Sequence, residues 1–147
     1  MTGAYIVDAT RTPWGKFGGS LKDHSAAELG ALLIAKLIER NSLDPALVDN
    51  VILGQVLQAG AGQLPSRQAL IAAGLPVTTP STLVNKVCGS GMRAVVMSAQ
   101  QIRLGESEVA VAGGMESMSN TPYYDTSTRW GARRKLRSGP KEKAGAS

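Results

Sequence analysis

The residues of this sequence best suited to catalysis are a single cysteine and the two glycines that follow it. Cys88 is the only cysteine in 147 residues and lies in the segment VNKVCGSGMRAV, just before a stretch that predicts a helix. Free backbone N–H groups and the helix dipole at such a position favour the thiolate, which is the nucleophilic form. Gly89 and Gly91 leave room for a carbonyl substrate to approach the sulfur and the backbone amides. The segment predicts a cysteine nucleophile, with Gly89 assisting through its backbone.

Two other interpretations of the same segment stay open at this point. Cysteine is among the most often buried residue types, so Cys88 could pack as a small inert hydrophobe. The residues from Gly89 to Ala94 also fit the pattern G-x-G-x-x-A of a dinucleotide-binding turn. That pattern should close the first strand of its unit, whereas two strand-like segments precede it here. The acid Glu108 also precedes the next strand instead of ending it.

The remaining candidates are more typical of structural or solvated positions. His24 and Asp23 are adjacent in the chain, and neighbouring side chains seldom face one another. Arg11 and Arg67 are isolated arginines. The segment MESM that contains Glu116 follows an apolar strand, where α/β sheets place ligands, but its residue types favour packing.

Hydrophobic periodicity and turn residues predict the elements that would position Cys88. Ser25 and Glu28 have the spacing of a capping box that starts a helix ending near Asn41, and Asp44 caps a short turn. The predicted strands are residues 4–9, 51–56, 82–87 and 107–114, and the other predicted helices are residues 65–74 and 89–104. The last helix is apolar nearly all round, which predicts that it is buried.

Strands alternating with helices predict an α/β domain with a mostly parallel, mixed sheet and helices on both faces. After residue 118 the pattern dissolves into Ser, Thr, Gly and charged residues. We therefore predict one domain over residues 1–118, followed by a loop region over residues 119–147 that ends in a solvated basic tail.

Composition excludes several classes of protein. Hydrophobic residues make up 43% and charged residues 18% of the chain, which is typical of a globular protein. No apolar run reaches the roughly 20 residues of a membrane span, and the N-terminus has no secretory pattern. One cysteine and one histidine make neither an internal disulfide nor a metal cluster. We expect a cytoplasmic protein with a reduced thiol and no metal.

The net charge of +5 is concentrated at the C-terminus. Residues 129–147 carry seven basic side chains and one acid, whereas residues 1–128 carry nine basic and ten acidic side chains. The body shows no basic face, and only 4% of the residues are aromatic. These features argue against a nucleic-acid partner or a membrane partner for the domain.

Several blocks of the sequence resemble the thiolases. VNKVCGSGMRAV is similar to the nucleophile motif of that family, and AVAGGMESMSNTPYY is similar to the segment that follows it. YIVDATRTPWGKFGGSL and GQVLQAGAGQLPSRQALIAAGLP also match, in the expected order. The resemblance covers about residues 4–133 and is to the biosynthetic branch, the acetyl-CoA C-acetyltransferases.

This resemblance implies a thiolase-like N-terminal domain in which Cys88 carries the acyl group as a thioester. A second acetyl-CoA, deprotonated at its methyl group, would then attack in a Claisen condensation to give acetoacetyl-CoA, and the reverse reaction would be thiolysis. Coenzyme A would arrive as part of the acyl-CoA substrate, without any other cofactor. The family's nucleophile helix lies buried between two such domains, and homo-oligomers, either dimers or tetramers, are usual.

The chain also departs from the family pattern. Thiolases are much longer and take a histidine base, a second cysteine and a glycine oxyanion donor from a C-terminal domain. From Lys135 onward the sequence no longer resembles them. The resemblance therefore implies a truncated chain that is inactive alone and exposes apolar surface. The alternatives are a 3-ketoacyl-CoA thiolase of longer-chain specificity and a non-catalytic thiolase-fold module whose tail binds phosphate, lipid or nucleic acid.

Overall fold

The computed structural model describes residues 3–130. Its helices and strands are, in chain order, α1 (Ala26–Arg40), β1 (Asn50–Gly54), α2 (Pro65–Ala72), β2 (Ser81–Val84), α3 (Ser90–Leu104) and β3 (Ala110–Gly114). Short 3₁₀ turns lie at Pro45–Leu47, Met118–Asn120 and Thr128–Trp130. Within these residues, no helix is long and apolar enough to cross a membrane.

The three strands form a parallel sheet in the order β2-β1-β3. Ile52 in the central strand lies opposite Thr82 on one side and Ala112 on the other. Every residue of β1 is buried, as expected for a central parallel strand. The prediction of an α/β domain is confirmed, and the three described strands are all parallel.

Helices cover both faces of this sheet, as predicted. Val51 and Leu53 point into a core cluster formed with α1, α2 and Met115. Ile52 and Gly54 point to the opposite face because side chains alternate along a strand. That face is covered by α3, which lies against Gly54 closely enough that a side chain there would collide with it.

The predicted helix caps are confirmed. The Ser25 backbone N–H donates to Glu28 Oε2 at 2.7 Å, and the Glu28 N–H donates to Ser25 Oγ at 3.2 Å. This reciprocal pair is the capping box, and α1 begins at the next residue. Asp44 caps the following turn through the Ala46 N–H at 3.0 Å.

The prediction of a strand over residues 4–9 is wrong. The segment forms no strand, and its apolar side chains Tyr5, Ile6 and Val7 are each more than 80% exposed. A strand is stabilised by the ladder to its neighbour, and among the described residues no strand pairs with this segment. The apolar run therefore identified a segment suited to a sheet, while the described residues give it no partner strand.

An ion pair fastens this N-terminal segment to the end of α1. The Arg40 guanidinium donates from Nε and Nη2 to the Asp8 carboxylate, and Asn41 Nδ2 donates to Asp8 Oδ2 at 2.8 Å. The hydrogen bonds from Arg40 first, and then from Asn41, lower the pKa of Asp8 from 3.8 to about 2.

We expect the interaction of Asp8 with Arg40 and Asn41 to weaken only in strong acid. Because the folded-state pKa of Asp8 is depressed, its contribution to stability is fully present above pH 3.8 and is lost as the pH falls through about 2. In Arg40→Gln the titration midpoint of Asp8 should move back toward 3.8. Carboxyl-carbon NMR of the two proteins measures this midpoint; equal midpoints would contradict the assigned cause.

The prediction that the helix after Cys88 is buried is also wrong for this chain. Only Ser90, Ala94 and Ser98 of α3 are buried, all on the side that faces the sheet. Met92 and Leu104 are 71% and 74% exposed. Nothing in the described part of the chain covers the outer side of α3. The expected homo-oligomer stays a prediction.

The boundary near residue 118 also stays a prediction. Residues 117–120 pack back against the loop before α1, where Asn120 Nδ2 donates to the Lys22 and His24 carbonyl oxygens at 2.8 and 2.9 Å. Most of the predicted basic tail, residues 131–147, lies outside the described residues.

Candidate active site

An open depression lies at the carboxyl ends of β1 and β3, and Cys88 is one of the residues that line it. Its volume is about 460 Å³, and it is lined by Gly54 at the end of β1, Gly114 at the end of β3 and Gly91 in the first turn of α3. Ligands of parallel α/β sheets bind at this edge, beside the strand ends. The depression is therefore the candidate active site.

Glycines bring the start of α3 down onto the strand ends. A Cβ at Gly54 would lie 2.4 Å from the Ser90 carbonyl carbon, and a Cβ at Gly114 would lie 3.2 Å from Gly91 Cα. Such distances leave no space for a side chain at Gly54. Sequence reasoning assigned Gly91 to substrate access and gave no role to Gly54 or Gly114. The available signal was that two apolar strands each end in glycine.

Cys88 is exposed, so it does not pack as a small buried hydrophobe, and its role as a nucleophile stays a prediction. Strand β2 ends at Val84, three residues earlier than predicted, because a tight turn over residues 85–87 carries the chain into α3. The last residue of this turn, Val87, has φ 49°, in the left-handed region. Cys88 directly follows Val87 and precedes the helix cap, which places its thiol at the N-terminal end of α3.

Side chains on either side of Cys88 make the hydrogen bonds of this turn. Asn85 Oδ1 accepts from the Val87 N–H at 3.0 Å. Ser90, which is buried, accepts from the Lys86 N–H at 2.8 Å and donates to the Val87 carbonyl oxygen at 2.6 Å. The turn is thus held by side chains as well as by the backbone.

Gly89 is the N-cap of α3 and is exposed. Its backbone N–H donates to the Lys86 carbonyl oxygen at 3.0 Å, so that amide is engaged inside the turn. Amides of the first helical turn have no acceptor within their own helix, and Gly91 is in this turn and lines the depression. The assisting role predicted for Gly89 stays a prediction.

Glu116 is a site residue for which sequence reasoning favoured packing. Its carboxylate accepts from the Val56 N–H at 2.9 Å and from the Leu57 N–H at 3.3 Å. Glu116 and Val56 both line the depression. The side chain therefore fixes the loop after β1 against the loop after β3. Its position after a strand was the only signal in the sequence.

Replacing this carboxylate by an amide should destabilise the fold. In Glu116→Gln one of the two backbone donors faces an NH₂ group, which leaves a partly buried N–H unsatisfied. We expect the free energy of unfolding to fall by about 1–3 kcal/mol. Urea unfolding measures this change, with Glu106→Gln on the exposed surface as the control. Equal midpoints for the two variants would show that Glu116 does not hold the loops.

The other candidates lie apart from this depression. His24 is exposed and does not line it. Arg67 donates to the Thr79 carbonyl oxygen at 2.6 Å and to that of Val77, which is a structural role. The glycine pattern follows β2, the second strand in the chain and an edge strand, and Glu108 precedes β3. This order differs from that of a dinucleotide-binding unit.

The parallel sheet, the thiol at a helix N-terminus and the glycine-lined strand ends define an α/β domain that places one exposed cysteine beside an open depression. The family described as "Thiolase, N-terminal domain" matches residues 4–143 of this sequence, and the chain therefore belongs to the thiolase family. This match extends ten residues beyond the region that the sequence blocks had indicated.

Individual relatives agree with this assignment. The chain is 55% identical over 133 residues to an acetyl-CoA acetyltransferase of Pseudomonas aeruginosa, covering 90% of this chain and 34% of the relative. It is 54% identical over 128 residues to acetyl-CoA acetyltransferase 2 of Arabidopsis thaliana, covering 87% and 32%. The Acat5 thiolase from Ascaris suum, solved in complex with coenzyme A, superimposes with a TM-score of 0.82 at 40% identity, covering 84% and 32%. The chain thus spans about one third of the length of these relatives.

Proposed function

We propose that this chain is the acyl-accepting part of a thiolase-type acyltransferase, in which Cys88 takes an acetyl group from acetyl-CoA. The observation that carries the proposal is an exposed cysteine at a helix N-terminus, on the wall of a depression lined by strand-end glycines. Two relatives that share about half of its residues are named acetyl-CoA acetyltransferases, and a thiolase of the same fold was solved with coenzyme A.

The first proposed step forms an acetyl-thioester on Cys88. The thiolate attacks the carbonyl carbon of acetyl-CoA, and a tetrahedral intermediate with a negatively charged oxygen forms. Backbone N–H groups of the first turn of α3, such as that of Gly91, offer hydrogen bonds to this oxygen. The bond between the carbonyl carbon and the coenzyme A sulfur then breaks, which leaves acetyl-Cys88 and the coenzyme A thiolate. Exchange of one thioester for another is nearly balanced in energy.

The second proposed step forms the carbon–carbon bond. A second acetyl-CoA loses a methyl proton to a base, and its carbanion attacks the acetyl-Cys88 carbonyl. The carbon–sulfur bond breaks, which releases acetoacetyl-CoA and restores the Cys88 thiolate. In the reverse direction coenzyme A cleaves a 3-ketoacyl-CoA.

The described residues supply the nucleophile for these steps but not the base. Cys88 and Glu116 are the ionisable side chains that line the depression, and the Glu116 carboxylate already accepts two backbone hydrogen bonds. His24, the one histidine of the chain, is not part of the lining. We propose that the 147-residue chain can exchange acetyl groups but does not condense them.

An isotope-exchange experiment separates these two abilities. Acetyl-CoA is mixed with labelled coenzyme A and the chain, and both labelled acetyl-CoA and acetoacetyl-CoA are measured. The proposal expects label to enter acetyl-CoA through acetyl-Cys88 without formation of acetoacetyl-CoA, and no exchange with Cys88→Ser. Exchange that persists in Cys88→Ser would overturn it, as would a folded wild-type chain that exchanges nothing.

A further inference from the structure

We infer that Ser90 and Asn85 are positioning residues for Cys88, because they hold the preceding residue, Val87, in a left-handed backbone conformation. The inference rests on the proposed function for its catalytic meaning. The geometry that supports it concerns only the turn over residues 85–90 and the loop after β1.

Val87 adopts a conformation that its own side chain disfavours. Its φ of 49° lies in the left-handed region, which β-branched residues rarely enter because Cβ crowds the backbone. Val87 is 66% exposed, so packing of its side chain does not compensate. Surrounding interactions must therefore hold this residue, as is general for strained backbone at functional sites.

Hydrogen bonds from two side chains fix Val87 on both sides. Its N–H donates to Asn85 Oδ1 at 3.0 Å, and its carbonyl oxygen accepts from Ser90 Oγ at 2.6 Å. The Ser90 oxygen also accepts from the Lys86 N–H at 2.8 Å. With both polar groups of Val87 held, the direction in which the chain enters Cys88 is fixed as well.

The same turn is hydrogen-bonded to the loop after β1, whose Val56 also lines the depression. Asn85 Nδ2 donates to the Val56 carbonyl oxygen at 3.3 Å, and the Val56 N–H donates to the Glu116 carboxylate at 2.9 Å. A continuous set of hydrogen bonds therefore runs from the loop after β3, through the loop after β1, to the turn that precedes Cys88. It fixes the thiol relative to the cavity in which a substrate would bind.

The test measures how fast iodoacetamide alkylates the full chain, in which Cys88 is the only thiol. Without the Ser90 hydroxyl, the Val87 carbonyl oxygen keeps only its bond from the Ser90 backbone N–H at 3.1 Å, and the Lys86 N–H loses its acceptor. We expect Val87 then to relax toward a negative φ and Cys88 to turn away from the N-terminus of α3. We expect the rate in Ser90→Ala to fall about tenfold, which corresponds to about 1.4 kcal/mol. Ser98→Ala is the matched control. Ser98 is buried in the same helix, and its hydroxyl has no partner among the described residues, so the rate should not change.

A second substitution separates positioning from general loss of structure. Glycine adopts the left-handed conformation without strain, so Val87→Gly combined with Ser90→Ala should regain most of the lost rate. A helix that was merely damaged would not recover in this way.

A third comparison uses the exposed Asn85. Asn85→Ser keeps an acceptor for the Val87 N–H and should retain more of the alkylation rate than Asn85→Ala.

A tenfold loss in Ser90→Ala, a wild-type rate in Ser98→Ala and recovery by Val87→Gly would support the inference. Equal rates in Ser90→Ala and wild type would overturn it, and so would a loss that Val87→Gly leaves unchanged. If Ser90→Ala fails to fold, the comparison of Asn85→Ser with Asn85→Ala tests the inference instead. Equal alkylation rates for these two variants would overturn the inference. Alkylation needs no acyl-CoA, so this result stands apart from the acetyl-exchange experiment.

Discussion

Replacing Gly54 by alanine is expected to lower the free energy of unfolding by about 3 kcal/mol and the melting temperature by roughly 10 °C. The added Cβ would lie 2.4 Å from the Ser90 carbonyl carbon, 2.6 Å from the Gly91 nitrogen and 2.7 Å from Ser90 Cβ. All three atoms belong to the first turn of α3, which carries no flexible group that can move aside. The helix must therefore shift away from β1, and the turn before Cys88 must shift with it.

Gly113→Ala is the control for this prediction. Gly113 belongs to the neighbouring strand β3, and a Cβ at this position would meet nothing within 4 Å. Its effect should remain within about 0.5 kcal/mol. Thermal and urea unfolding of the two variants measure the difference. Similar losses of stability in the two variants would mean that these glycines are needed for the strands themselves and not for the close packing of α3.

Replacing Cys88 by serine is expected to reduce acetyl exchange by roughly three orders of magnitude or more. The substitution keeps the size of the side chain, but an alcohol does not ionise at neutral pH and makes a far weaker nucleophile. Because Cys88 is exposed, the melting temperature should stay close to that of the wild type. A variant that loses exchange and also unfolds would not test the chemistry, so both measurements are made on the same sample.

Much of the fold follows from local signals in the sequence. The capping box at Ser25 fixes where α1 begins because two side chains satisfy the helix end whatever lies around it. Apolar runs ending in glycine mark β1 and β3, since buried parallel strands leave few alternatives for such residues. The placement of Cys88 between a strand and a helix follows from the same local patterns.

The features that sequence reasoning missed depend on contacts between distant segments. Residues 4–9 have the composition of a strand, but strand formation needs a partner that the described chain lacks. The helix after Cys88 is apolar on a side that no other part of the described chain covers. Glu116 lies 60 residues from Val56 in the chain, so its hydrogen bond cannot be read from spacing. The left-handed conformation of Val87 could not be predicted from the sequence, because β-branched residues rarely adopt it.

Cys88 is expected to accept an acyl group, and mass spectrometry of the chain after incubation with acetyl-CoA tests this role most directly. The wild-type protein should gain the mass of one acetyl group, and peptide mapping should place that group on the peptide that contains Cys88. The adduct should be absent in Cys88→Ser. An adduct on another residue, an adduct that persists in Cys88→Ser, or no adduct on the folded wild-type chain would contradict this role.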